Sequence, residues 1–147
     1  MTRLVAAISL TAVVAPASAS DTWFVRADGV RFNSDVGAWC GALNTDIFFE
    51  PSETSLDIHD EAPLDFLVEC LTRGELRGAV IAVVAPYDGS SWDYERAQER
   101  QAAVIAYLMR GGVDLRQLDA WKIASGGTPW EPDRIRFRIA TLPLEPF

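Results

Sequence analysis

The sequence predicts an α/β (α+β) fold, a mixed β-sheet with helices packed on it, and three observations carry that reading. The run Ala79-Val80-Ile81-Ala82-Val83-Val84-Ala85 is continuously apolar, as a strand buried on both faces must be. Helical periodicities flank it, with Leu64, Leu67, Val68 and Leu71 before and Ala97, Gln101, Val104 and Leu108 after. The segment from Arg134 to Ile139 alternates charged and apolar residues, the period of a strand with one packed and one wet face. Along the chain the elements follow as β-α-β-α-β-β.

Each element has its own signals. Arg3 precedes an apolar stretch from Leu4 to Ala15, then Pro16 and the small residues Ala17-Ser18-Ala19-Ser20. That order is the pattern of a secretory signal peptide, cleaved after Ala19 or Ser20. Residues 1–20 are therefore expected to leave the mature chain, and residues 21–43 form an N-terminal extension before a domain spanning 44–147. In the extension, Thr22 to Arg31 reads as extended chain or a short strand, with a turn at Asn33-Ser34-Asp35. Thr45 to Phe49 is β-branched and aromatic and stops at Pro51, as a strand does.

The first helix is expected from about Asp60, with Pro63 in its first turn and Gly74 beyond its end. The central strand follows and ends at Pro86. A polar loop, Tyr87 to Asp93, then leads into a helix from about Tyr94 to Arg110. Asp93 is its candidate N-cap and Gly111-Gly112 its stop. Leu118 to Ala124 is the next strand, and the loop Ser125 to Trp130 precedes the last one. No later segment approaches the ~20 apolar residues of a membrane-spanning helix.

Charge and cysteine usage narrow the function classes. With 13 Lys+Arg against 21 Asp+Glu the net charge is −8. The clustered positive charge that nucleic acids and anionic membranes require is missing. The chain has 2 cysteines, Cys40 and Cys70. In an oxidising compartment a lone pair is most simply a disulfide, here closing a loop that contributes about 3–4 kcal/mol on the chain-entropy model. A redox or metal pair is the alternative, without a CxxC or a histidine cluster to support it. The single histidine, His59, lies among carboxylates in Asp57-Ile58-His59-Asp60-Glu61, where it reads as a solvated residue at a helix start. No GxSxG elbow, P-loop or HExxH occurs, so the sequence nominates no enzyme and no cofactor.

The chemistry-bearing place is the loop after the central strand. Ligand sites gather at such strand ends, beside a helix N-terminus. Asp88 sits just past the strand and Arg100 on the following helix. Together they suit a zwitterion, the carboxylate taking an ammonium and the planar guanidinium taking a carboxylate. The plainer alternative has Asp88 as a turn residue and Arg100 as an exposed helix charge paired with Glu95, Glu99 or solvent.

Over residues 44 to 140 the chain resembles the OmpA-like domains. The resemblance rests on Ile47-Phe48-Phe49-Glu50-Pro51-Ser52-Glu53-Thr54-Ser55-Leu56, the strand leading to Asp88, Ala97-Gln98-Glu99-Arg100, Gly111-Gly112 and the Arg-rich last strand. It implies an OmpA-like sandwich in the bacterial envelope, periplasmic, non-catalytic, binding the diaminopimelate of peptidoglycan. By the same resemblance Asp88 receives the ligand's ammonium and Arg100 its carboxylate. The motif is altered around them: Gly-His-Thr-Asp becomes Ala85-Pro86-Tyr87-Asp88, an Asn becomes Asp93, Leu-Ser becomes Arg96-Ala97, and Gln101 follows the Arg. The candidate ligand-binding set is thus Asp88, Arg100, Asp93 and Tyr87. The partner is peptidoglycan or, if the altered loop has lost that ligand, an envelope protein met through loop aromatics such as Trp92, Trp121 and Trp130.

Overall fold

The computed structural model describes residues 23–25, 31–33, 35–41, 46–124 and 133–142. The signal-peptide reading of 1–20 lies outside them, as do Trp130 and its loop. Ten short and long elements are seen within this range. They are β1 (Trp23–Val25), β2 (Arg31–Asn33), α1 (Val36–Cys40), β3 (Ile47–Phe48), α2 (Ile58–Thr72), β4 (Val80–Tyr87), α3 (Ser91–Arg110), a 3-10 turn (Leu115–Gln117), β5 (Leu118–Ala124) and β6 (Arg134–Thr141).

The main sheet has four strands in the order β3-β6-β4-β5. β4 runs parallel to β5 and antiparallel to β6, which makes the sheet mixed, as the sequence predicts. β1 and β2 form a separate antiparallel pair. Residues 46–124 and 133–142 thus repeat the predicted strand-helix-strand-helix-strand-strand order.

Both long helices lie on one face of the sheet. Leu64, Leu67 and Leu71 of α2 and Ala97, Val104 and Leu108 of α3 share one buried cluster with Ile81, Val83 and Ala85 of β4 and Ile135, Phe137 and Ile139 of β6. Burying such side chains contributes about 1.5–3 kcal/mol each. The intervening β4 residues Ala82 and Val84 face the other way, against Trp121 and Ile123, and are equally closed to solvent. That is why β4 reads as unbroken apolar sequence. Polar tethers supplement this packing. The Gln101 side-chain amide donates to the carbonyls of Val83 (2.8 Å) and Trp121 (3.0 Å), joining α3 to β4 and β5.

α2 begins at Ile58, two residues before the expected start. Asp57 caps it and forms a reciprocal capping box with Asp60. Pro63 consequently sits inside the helix and not in its first turn. α3 begins earlier too: Ser90, not Asp93, is its N-cap, its hydroxyl accepting from the Asp93 N–H at 3.1 Å. β4 continues through Pro86 to Tyr87, paired with Ile123 and Ala124 of β5. At the far end of α3, a Cβ on Gly111 would stand 2.8 Å from a Val68 methyl, so the close approach of α2 to α3 requires glycine there.

The short helix α1 joins the core. α1 is capped by Asp35 and closed by Gly41 in the left-handed region (φ 84°), a helix of only five residues without a periodic pattern to announce it. Val36 is fully buried, and the Cys40–Cys70 disulfide, with Cα atoms 5.8 Å apart, bonds α1 to α2. The expected wet face of β6 differs from the sequence reading. Arg138 is 7% exposed, and burial lowers its guanidinium pKa. Arg134 and Arg136 both pair with Asp46, at 3.0 and 3.2 Å. Alternation identified the face, but the long arginine stems lie along the sheet and are themselves covered.

Candidate functional site

Three elements meet beyond the C-terminal end of β4: the start of α3, the segment 50–53 after β3, and Asp133 before β6. The turn from β4 into α3 explains the local geometry. Gly89 adopts φ 103°, a conformation open to glycine at little cost, and lets the chain reverse between Asp88 and Ser90. Asp88 Oδ1 then accepts from both the Ser90 N–H (2.9 Å) and its hydroxyl (2.7 Å). Those two bonds hold the Asp88 carboxyl below its ordinary pKa, the backbone bond contributing most. The side chain is exposed. Its turn role and its availability to solvent coexist, because both bonds to Ser90 use one oxygen.

Asp93 is different. It is 2% exposed, and its Oδ2 accepts from the Asp88 N–H at 2.7 Å. Its Oδ1 accepts from Nε (3.1 Å) and Nη2 of Arg96. The carboxylate in the first turn of α3 is also well placed against the helix dipole. Asp93 therefore fixes the β4–α3 turn from within. Tyr87 is half-buried and meets Tyr94 edge-to-face, with ring centres 5.0 Å apart. Its bulk fills the junction between strand and helix.

Arg100 is buried at 2% exposure, which excludes the exposed helix charge paired with Glu95 or Glu99. Its Nε donates to the Glu53 carbonyl at 2.7 Å, and Nη2 donates to those of Glu50 (2.8 Å) and Pro51 (3.1 Å). Nη1 donates to Asp133 Oδ1 at 2.7 Å, and the guanidinium carbon stands 5.0 Å from the Phe49 ring centre. Four of the five N–H donors of an arginine are thus used inside the protein. The segment 50–53 has no regular partner strand, and Arg100 supplies its carbonyls with hydrogen bonds.

The sequence missed Arg96 and Asp133. Arg96 donates to Asp93 and to the Pro51 carbonyl and lies over the Trp92 ring, 4.0 Å from its centre. Its Nη2 is 3.8 Å from Asp133 Oδ1. Spacing alone places Arg96 one turn before Arg100 on the same helix face. Asp133 is 33 residues from Arg100 and carries no local signal of the pairing. Its φ of 67° is left-handed, unusual for a residue other than glycine and best tolerated by Asp and Asn.

Contacts therefore run without a break from Asp88 through Asp93, Arg96 and Asp133 to Arg100. The structure brings Asp88, Asp93 and Arg100 into one run of contacts, sets Tyr87 beside it against Tyr94, and gives the four unequal freedom. Asp88 is open, whereas Asp93, Tyr87 and Arg100 are engaged. His59 stands apart, exposed at the start of α2. Among the described residues no group of three or more His, Cys, Asp or Glu is placed to hold a metal ion, and no helix is long and apolar enough to cross a membrane.

Comparison with solved structures gives the fold. The peptidoglycan-associated lipoprotein from Burkholderia pseudomallei aligns with a TM-score of 0.55 at 17% identity, over 71% of this chain and 99% of that one. The OmpA-like domain of FopA1 from Francisella tularensis aligns with a TM-score of 0.53 at 16% identity, over 68% of this chain and 72% of that one. The C-terminal domain of Helicobacter pylori MotB gives a TM-score of 0.52 at 19% identity, over 63% of this chain and 81% of that one. No protein-family model and no curated protein sequence matches the chain. The molecule has the fold of the OmpA-like domains, as the sequence resemblance implies.

Proposed function

We propose that this chain is a non-catalytic peptidoglycan-binding module of the bacterial cell envelope, delivered to the periplasm by residues 1–20. It holds the diaminopimelate of the stem peptide between Asp88 and Arg100. The observation that carries the reading is the contact chain from the Asp88 backbone N–H, beside its exposed carboxylate, through Asp93, Arg96 and Asp133 to Arg100. Neighbours of the same fold include a peptidoglycan-associated lipoprotein. In this reading Asp88 takes the ligand's ammonium with its unused oxygen, and the Arg100 guanidinium takes the carboxylate. Asp93 and Tyr87 hold the turn that presents Asp88.

Asp88→Ala is the clean test, because Asp88 is exposed and the other three residues are built into the fold. The wild-type chain is expected to pellet with isolated sacculi containing diaminopimelate, and Asp88→Ala to stay in solution. Equal pelleting of a folded Asp88→Ala defeats the assignment of Asp88.

A second reading is favoured by a specific observation: Arg100 already has partners for four of its N–H groups. The fold would then serve protein–protein contact, with Trp92, 65% exposed and stacked on Arg96, as an interface anchor. A wild-type chain that leaves sacculi alone but retains one stoichiometric envelope protein supports this reading.

A further inference from the structure

We propose that Asp133 is the specificity-determining residue of this site: its carboxylate occupies the place at Arg100 that a ligand carboxylate takes, and swings aside when one enters. This rests on the binding function proposed above and adds to it the residue that decides whether Arg100 is open.

Arg100 has two kinds of partner. The carbonyls of Glu50, Pro51 and Glu53 belong to the backbone and leave only if the segment after β3 unravels. Asp133 is a side chain, and its carboxylate has the same chemistry as a ligand carboxylate, charge-assisted and 2.7 Å from Nη1. The Arg100 side chain is 3% exposed, whereas that of Asp133 is 35% exposed, so an incoming group reaches the Asp133 carboxylate more readily than the guanidinium it pairs with.

The backbone around Asp133 stays in place when its side chain turns. The Asp133 carbonyl accepts from the Phe49 N–H at 2.9 Å, and the next residue begins β6. One rotation about the Cα–Cβ bond thus exchanges one carboxylate for another without moving the sheet. Arg96, with Nη2 3.8 Å from the same Asp133 oxygen, is the second cation that an incoming carboxylate meets. Its Nε, one Nη1 hydrogen and one Nη2 hydrogen are committed to Asp93 and Pro51, which leaves a hydrogen on each terminal nitrogen.

The site therefore discriminates by competition: an incoming carboxylate must outbid Asp133, and an amine that engages only Asp88 meets no such rival. The test is calorimetric titration of the mature chain and of Asp133→Asn and Asp133→Gly with meso-diaminopimelate, and with cadaverine as a diamine lacking carboxylates. Both replacements accept a left-handed backbone, so one stands in if the other fails to fold. At neutral pH either variant is expected to bind diaminopimelate about tenfold more tightly than the wild type, the order of one charge-assisted hydrogen bond released. Cadaverine affinity is expected to change by less than about twofold, since no carboxylate competes. Unchanged or weaker diaminopimelate binding in the variants, or an equal gain for cadaverine, overturns the proposal, as does diaminopimelate binding in none of the three chains. Sacculus pelleting by the wild type is read separately. If it fails while Asp133→Asn gains diaminopimelate, the binding function is lost in the native chain and the role of Asp133 stands.

Discussion

Around Phe137 the sheet meets its helices through apolar side chains, with Ile135, Ile139, Val83, Leu67 and Leu71 in the same sealed cluster. Around Arg100, at the C-terminal end of β4, the chain is held by a guanidinium reaching three backbone carbonyls and one carboxylate. The first region is held by contact area, which is insensitive to direction. The second is held by a few directed bonds whose partners lie 33 to 50 residues away in sequence. Folding stability concentrates in the first region. The second fixes a shape, and a shape held by few bonds is the kind that a ligand can rearrange.

The largest effect should therefore come from the apolar layer. Phe137→Ala is expected to cost about 3–5 kcal/mol, read from denaturant unfolding, since it empties the middle of the cluster. Arg100→Met should cost less, about 1–3 kcal/mol, because the carbonyls it releases belong to exposed residues that can turn to water. Hydrogen exchange should then quicken at residues 49–53 and stay slow in β4. If Arg100→Met costs as much as Phe137→Ala, or loosens β4 equally, the division between the two regions breaks.

The smallest effect sharpens the comparison at a third place. The Tyr107 hydroxyl donates to Asp65 at 2.6 Å, tying α3 to α2 by one exposed bond. That bond, its first cause, pushes the phenol pKa from 10.0 up to about 12. A folded-state value above the unfolded one means the tie stabilises fully below pH 10 and is lost as pH rises towards about 12. Ultraviolet titration should show one tyrosine ionising late, and Tyr107→Phe should remove that late step with little change in unfolding midpoint. A late step that persists in Tyr107→Phe assigns it to another tyrosine.

How much of this was legible follows from the same physics. β4 and both long helices could be read because burial writes its period into neighbouring residues. α1 could not, since its five residues are held by a cap, a left-handed glycine and a disulfide and not by a repeating stripe. The start of α3 was misplaced because Ser90 and Asp93 are both capping types, and only the turn at Gly89 decides between them. Asp88 and Arg100 were singled out by their position after the central strand. Their partners were not, because Asp133 and the carbonyls of 50–53 reach Arg100 through the tertiary fold alone. The arginines of β6 were placed on the correct face, but their covering depends on elements far away in sequence.

The position of β6 carries a consequence for the order in which the molecule can be finished. It is the last strand among the described residues, yet it lies second in the sheet, between β3 and β4. Among the described residues β3 pairs in that sheet with β6 alone, and β4 loses one of its two neighbours without it. A nascent chain that has reached residue 133 thus holds its helices and β4–β5 pair but has no closed layer, and two ladder edges stand bare. A premature stop there removes a centre and not a fringe. The four-stranded sheet cannot be completed before the residues of β6 are available.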